Sequence, residues 1–196
     1  MKRIIVLLSF VGGLFLVACN PFAEPSTSLE KALDHIREAK NYRVSIEVDM
    51  DFLTQYIDMQ FAGDLVYYAY GDDEVYYERD GLRCFVYESI EGLYSRSEIV
   101  CDDVENESYG FYRTFSADWF ELSGSTYHLR DNHHQDFATF FHQAFPHAEV
   151  EDAILTLTND RLDTITFLLK VDDDTFTFNM TFSAFGQVDI KLPTIE

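Results

Sequence analysis

The chain has 196 residues with 35 acidic against 14 basic side chains, a formal net charge of −21 at pH 7. A surface this acidic repels phosphate backbones and anionic headgroups, which argues against nucleic acid and against direct binding to a bilayer face. Hydrophobic residues make up 47% of the chain and aromatic ones 16%, enough for one domain with a real core.

Lys2 and Arg3 precede an apolar run from Ile4 to Ala18, broken by Ser9. In a helix this run covers ~22 Å, short of a ~30 Å hydrocarbon core, so residues 1–18 read as a secretion signal rather than a span. Its end, Leu16-Val17-Ala18-Cys19, resembles the lipobox of bacterial lipoproteins. The resemblance implies that Cys19 is lipidated (a palmitate-type anchor), that the chain is cut before it, and that the new amino terminus is acylated. A secretory signal with an incidental cysteine is the alternative. Acyl chains contribute ~0.8 kcal/mol per buried CH₂, so one such residue anchors a protein without a transmembrane helix. Residues 19–27, the lipidated cysteine and "NPFAEPST", then form a flexible tether, and residues 28–196 a single domain. Losing Lys2 and Arg3 with the signal takes the net charge from −21 to −23. The expected place is the extracytoplasmic side of a bacterial cell membrane.

Thr27 with Glu30 forms a capping box ahead of "SLEKALDHIREAK", where Leu29, Ala32, Leu33, Ile36 and Ala39 share a helical face. The period then changes to two. Tyr42, Val44, Ile46, Val48, Met50 and Phe52 face one way, and Arg43, Ser45, Glu47, Asp49 and Asp51 the other, which predicts a strand with one wet face. A second strand is expected over Tyr56–Tyr70, bent or bulged at Gly63. "GDDE" and "RDG" turn the chain through "VYYER" into "LRCFVYE". Cys84 and Cys101 bracket a hairpin turning at Glu91-Gly92, which sets them roughly opposite each other and predicts a disulfide. "FYRTF" reads as strand, "SADWFEL" as a helical turn and "STYHLR" as strand. Phe137, Phe140, Phe141, Ala144 and Phe145 make a stripe on a short helix stopped by Pro146. Strands near 150–158, 162–171 and 174–185 follow, then a last short strand in "QVDIKL".

The expected fold is α+β, mostly β. A single sheet with one apolar face must be covered, and with two or three helices to hand the economical form is a curved antiparallel sheet, an open half-barrel with the helices against its concave side. In this order of elements the chain resembles the bacterial lipoprotein-carrier superfamily of the LolA, LolB and LppX type. The resemblance runs from about Ser28 to Pro193: the opening helix leading into "NYRVSIEVDM", the break "YHLR" before a helix, the hairpins "DTITFLLKV" and "TFTFNMTFSAFG", and a closing strand with Ile190 and Pro193. It implies an aromatic interior that accepts acyl chains.

The residues offered for a hydrophobic ligand, a lipid or another apolar small molecule, are Phe137, Phe140, Phe141, Phe145, Ile165, Phe167, Phe176, Phe178 and Met180. Plain core packing is the competing account of the same stripe. No catalytic residue, metal site or cofactor is expected. "SLEK" at 28–31 matches S-x-x-K without its companion motifs. His134 and His142 are separated by ~12 Å of helical rise, too far to share one ion. The leading expectation is a membrane-anchored lipoprotein that binds a hydrophobic ligand non-covalently. The alternative is a tethered interaction or sensor module of the cell envelope, with a filled core and a basic protein partner.

Overall fold

The computed structural model describes residues 27–50, 53–90, 92–101, 110–142 and 145–195. The signal, the lipobox with Cys19 and nearly all of the tether lie outside the described residues, as does Ala144 of the phenylalanine stripe.

Helix α1, Ser28–Glu38, starts where the capping box places it: the Glu30 amide donates to the Thr27 hydroxyl, and the Thr27 amide donates to the Glu30 carboxylate at 2.8 Å. Eleven strands follow: β1 Asn41–Met50, β2 Leu53–Ala62, β3 Leu65–Tyr70, β4 Asp73–Asp80, β5 Arg83–Ile90, β6 Leu93–Ile99, β7 Phe120–Ser123, β8 Thr126–Leu129, β9 Glu149–Thr158, β10 Arg161–Val171 and β11 Asp174–Ser183. They form one antiparallel sheet in the order β6-β5-β4-β3-β2-β1-β11-β10-β9-β8-β7, which leaves β6 and β7 as unpaired edges and no closed barrel. Among the described residues the fold is mostly β with two short helices, the second being α2, His134–Ala138.

Two-residue turns set the registers. Gly63-Asp64 is one of them: Gly63 has φ +65, a conformation a side chain would strain, and Ala62 pairs directly with Leu65. The stretch expected as a single bent strand is therefore a hairpin of β2 and β3. Asn159 and Asp160, at φ 54 and 56, make the tight turn between β9 and β10.

Alternation along β1 divides the sheet into a covered and an open face. Tyr42, Val44 and Ile46 are buried in one apolar cluster with Leu29, Leu33 and Ile36 of α1, while Arg43, Ser45 and Glu47 lie on the other side. The two strand meanders meet where β1 pairs β11, so the chain must run from edge strand β6 to edge strand β7 at the opposite side of the sheet. The described part of the link, residues 110–119, lies on the covered face. The 3₁₀ turn Gly110–Thr114 occupies the stretch where "FYRTF" was expected to be strand, and a second, Ala117–Trp119, is the helical turn expected in "SADWFEL". The Tyr112 ring meets Phe182 of β11 edge-on at 4.8 Å, and the Tyr112 and Tyr42 hydroxyls are 3.0 Å apart. The Arg113 guanidinium donates to the Tyr42 hydroxyl (2.6 Å) and to the Ala39 carbonyl (3.1 Å), and Arg37 of α1 donates to the carbonyls of Arg113 and Phe115. Burial pushes the phenols of Tyr42 and Tyr112 up, so both stay neutral in this network.

"QVDIKL" forms no strand, and Ile190 and Pro193 lie in irregular chain. β11 already has β1 on one side and β10 on the other, so no edge is free beside it. The tail is held by Asn41 instead: its side-chain amide donates to the Val188 carbonyl and its Oδ1 accepts from the Val188 amide, each at 2.8 Å.

At the start of the link the expected cross-link is present. Cys84 of β5 and Cys101 form a disulfide with Cα atoms 5.1 Å apart and a separation of 17 in sequence number. Replacing both (Cys84→Ser with Cys101→Ser) is expected to remove up to about 3 kcal/mol of stability in the chain-entropy account, read as a lower urea midpoint. An unchanged midpoint would mean that packing alone holds the link.

Candidate functional site: the aromatic layer on the covered face

The phenylalanine stripe folds differently from the helix expected over 137–145. α2 has five residues, after which Phe140, Phe141 and His142 donate to carbonyls three residues back, at 3.3, 3.0 and 3.3 Å. Crowded aromatic and β-branched residues lose rotamer freedom in an α-helix, and the tighter turn lets successive rings spread over the sheet.

The nine residues offered for a ligand separate into three groups. Phe137, Ile165, Phe167 and Met180 are fully buried. Phe140, Phe141, Phe176 and Phe178 are half-buried against that core. Phe145 is 39% exposed and stacks at the rim on Phe176, 6.3 Å between centroids. Phe141 lies over Phe167 at 5.3 Å and Phe178 at 6.2 Å, and Phe167 and Phe178 are stacked at 4.7 Å across β10 and β11.

Residues the sequence reading did not single out complete the layer. Phe111 meets Phe115, Phe137, Phe140, Phe141 and Phe167 at 5.4–6.0 Å, which makes it the hub of the cluster. Phe115 sits 4.9 Å from Phe137. The three aromatic rings within "FYRTF" were the available signal, and the strand reading scattered them over two faces. Trp119, the single tryptophan of the chain, borders the layer through Phe140 and stacks on His133 at 5.7 Å. Three histidines of this region are spent locally: His133 on Asp136 (2.8 Å), His128 on Thr126 (2.8 Å) and His142 on the Ala148 carbonyl (3.1 Å).

The layer has no apolar opening among the foremost clefts of the described residues. One cleft, of about 480 Å³, lies between α1 and the link and is lined by Glu30, Asp34, Arg37 and Asp118. Another, of about 630 Å³, lies on the open face.

The open face over β3–β6 carries its own aromatic cluster, missed in the sequence because the doublets Tyr67-Tyr68 and Tyr76-Tyr77 place a ring on each face. The Tyr67, Tyr76 and Tyr94 hydroxyls donate to the Glu74 carboxylate at 3.0, 3.3 and 2.9 Å. Tyr87 and Arg96 donate to Glu78 at 2.6 and 2.9 Å, and the Arg96 guanidinium lies 3.5 Å above the buried Phe85 ring.

No protein-family profile matches the sequence, nor does any curated protein sequence. Among solved structures similar in overall shape is "Crystal structure of LprF from Mycobacterium bovis", 8% identical over 85% of this chain and 94% of that chain, with a TM-score of 0.43. A likeness this distant leaves function to be argued from the chain's own residues.

Partial burial, then the Glu74 carboxylate, pushes the Tyr67 phenol up to about 12. An unfolded tyrosine ionises near 10, so this group favours the folded state fully below pH ~10 and its contribution is lost as pH rises toward ~12. In Glu74→Gln the tyrosinate absorbance titration is expected to shift to lower pH, and the loss of stability between pH ~10 and ~12 to become smaller. An unmoved titration would show that burial alone sets the value.

Proposed function

We propose that the chain is an envelope lipoprotein, anchored through Cys19 on the extracytoplasmic side of a bacterial membrane. Its sheet curls into an open half-barrel that binds a hydrophobic ligand, a lipid by preference, beneath the aromatic layer and without covalent chemistry. The observation that supports this is how the layer is built. Phe140 and Phe141 are half-buried and ride on a short turn after a five-residue helix. Phe141 touches Phe167 and Phe178 of the sheet, and Phe140 touches Phe111, Phe115 and Phe137, through ring contacts alone, with no polar tie between their side chains to break. Rings can be exchanged for acyl chains at little cost, since each burial is non-directional. The ligand enters by lifting these rings, and the arrangement described is the closed one.

A second reading is favoured by the filling at the centre. Phe115, Phe137 and Phe167 have no exposed surface, and the clefts named above are lined by charged or polar groups. On that reading the domain is a tethered interaction or sensor module, and its acidic surface meets a basic partner.

Titrating a fluorescent fatty acid into the unacylated Cys19→Ser chain, together with native mass spectrometry, separates the two. The first reading expects saturable uptake, copurifying lipid and a change in Trp119 emission. Phe141→Ala is then expected to change affinity several-fold with a small loss of melting temperature. A clean apo mass and no uptake, with Phe141→Ala costing about 3 kcal/mol as a core deletion does, would leave the interaction module.

A further inference from the structure

On the side of the sheet away from the aromatic layer, side-chain size cuts a groove across the strands. Thr181, Ser45, Asp58 and Ala69 are successive cross-strand neighbours on β11, β1, β2 and β3, and all are short. The row on one side is Asn179, Glu47 and Tyr56; the row on the other is Arg43, Gln60 and Tyr67. The dent between them has a volume of about 630 Å³, within the range of small-molecule sites. Tyr56 stands at its wall with 65% of its surface exposed, whereas Tyr67, Tyr76 and Tyr94 of the same face are drawn in on Glu74.

The chemistry of the lining selects the occupant. An anion would meet Glu47 and Asp58, while the Arg43 guanidinium is already committed to Asp58 at 2.6 Å. A cation would find Asp58 taken by Arg43 and by Gln60 (2.9 Å) and only Glu47 left to it, with the Arg43 charge itself in the wall. A hydrocarbon would strip water from the Ser45 and Thr181 hydroxyls and the Asn179 amide and return no hydrogen bonds. A neutral polyhydroxylated chain satisfies all three groups, since its hydroxyls both donate and accept. Its flat apolar ring faces also suit the exposed aromatic ring.

We infer that this groove is a second binding site, for a neutral oligosaccharide, with Tyr56 as the stacking platform and Ser45, Asn179 and Thr181 as the hydrogen-bonding floor. The site is independent of the aromatic layer and goes beyond the function proposed for it. In an envelope protein it would hold the domain against glycan while the lipid holds it to the bilayer.

Saturation-transfer NMR and calorimetric titration of the full chain with chitotetraose, cellotetraose and maltotetraose test the inference. Binding of at least one is expected. Tyr56→Ala and Asn179→Ala should each weaken it about tenfold, Tyr56→Ala without moving the melting temperature, and Tyr56→Phe should retain it. Phe141→Ala should leave it unchanged, so this site and the lipid site can fail separately. Three silent tetrasaccharides would overturn the assignment, as would binding indifferent to both alanine variants. Salt-sensitive displacement of the sugar by poly-lysine would also overturn it, in favour of a cationic partner.

Discussion

The constraint on which the structure depends is that β6 and β7, successive in the chain, are the two opposite edges of one sheet. The link between them has no route except across a face, and the face it crosses is the apolar one. A bare link there would bury backbone amides and carbonyls without partners. The chain meets this with 3₁₀ turns, with Arg37 and Arg113 donating to backbone carbonyls, and with the Tyr42 and Tyr112 hydroxyls bonded to each other. The disulfide fixes one end of the same link to β5. What makes the crossing favourable is Phe111, Tyr112 and Phe115, which fill the space that the two helices are too small to fill.

That solution gives the sheet faces of opposite character. The covered face is held by ring-on-ring contacts that are individually weak and geometrically tolerant, so its outer members can be exchanged for other apolar groups. The open face is held by directed bonds: tyrosines gathered on Glu74, Arg96 on Glu78, Arg43 on Asp58. These fix side chains in place and leave a groove of defined outline. The sites proposed for a hydrophobic ligand and for a glycan therefore lie on opposite faces of the sheet, one soft and apolar, the other stiff and polar.

Some features were written in local patterns. The capping box at Thr27 and Glu30 depends on residues three apart and needs no tertiary context. The alternation of Tyr42, Val44, Ile46 and Val48 against Arg43, Ser45 and Glu47 reports one wet and one dry face directly. The cysteine pair follows from the hairpin between them. Gly63 was the ambiguous case: a glycine in a strand serves equally as a bulge or as a turn at φ +65, and only the pairing of Ala62 with Leu65 distinguishes them. Phe141 shows the same limit for a site. Its place on the apolar stripe was legible, its half-burial over Phe167 and Phe178 was not.

The sequence by itself determined the first helix, most of the strands and their turns, the cross-link and the apolar side of β1, because these follow from side-chain direction along a local stretch of chain. Tertiary structure alone decided that the sheet stays open with β6 and β7 as its edges, that "FYRTF" supplies the hub of the core, and that "QVDIKL" is denied a strand partner. It also decided that four short residues on four strands line up into a groove. Each of these depends on which distant segments become neighbours, and a two-residue periodicity records the direction of a side chain but not what stands opposite it.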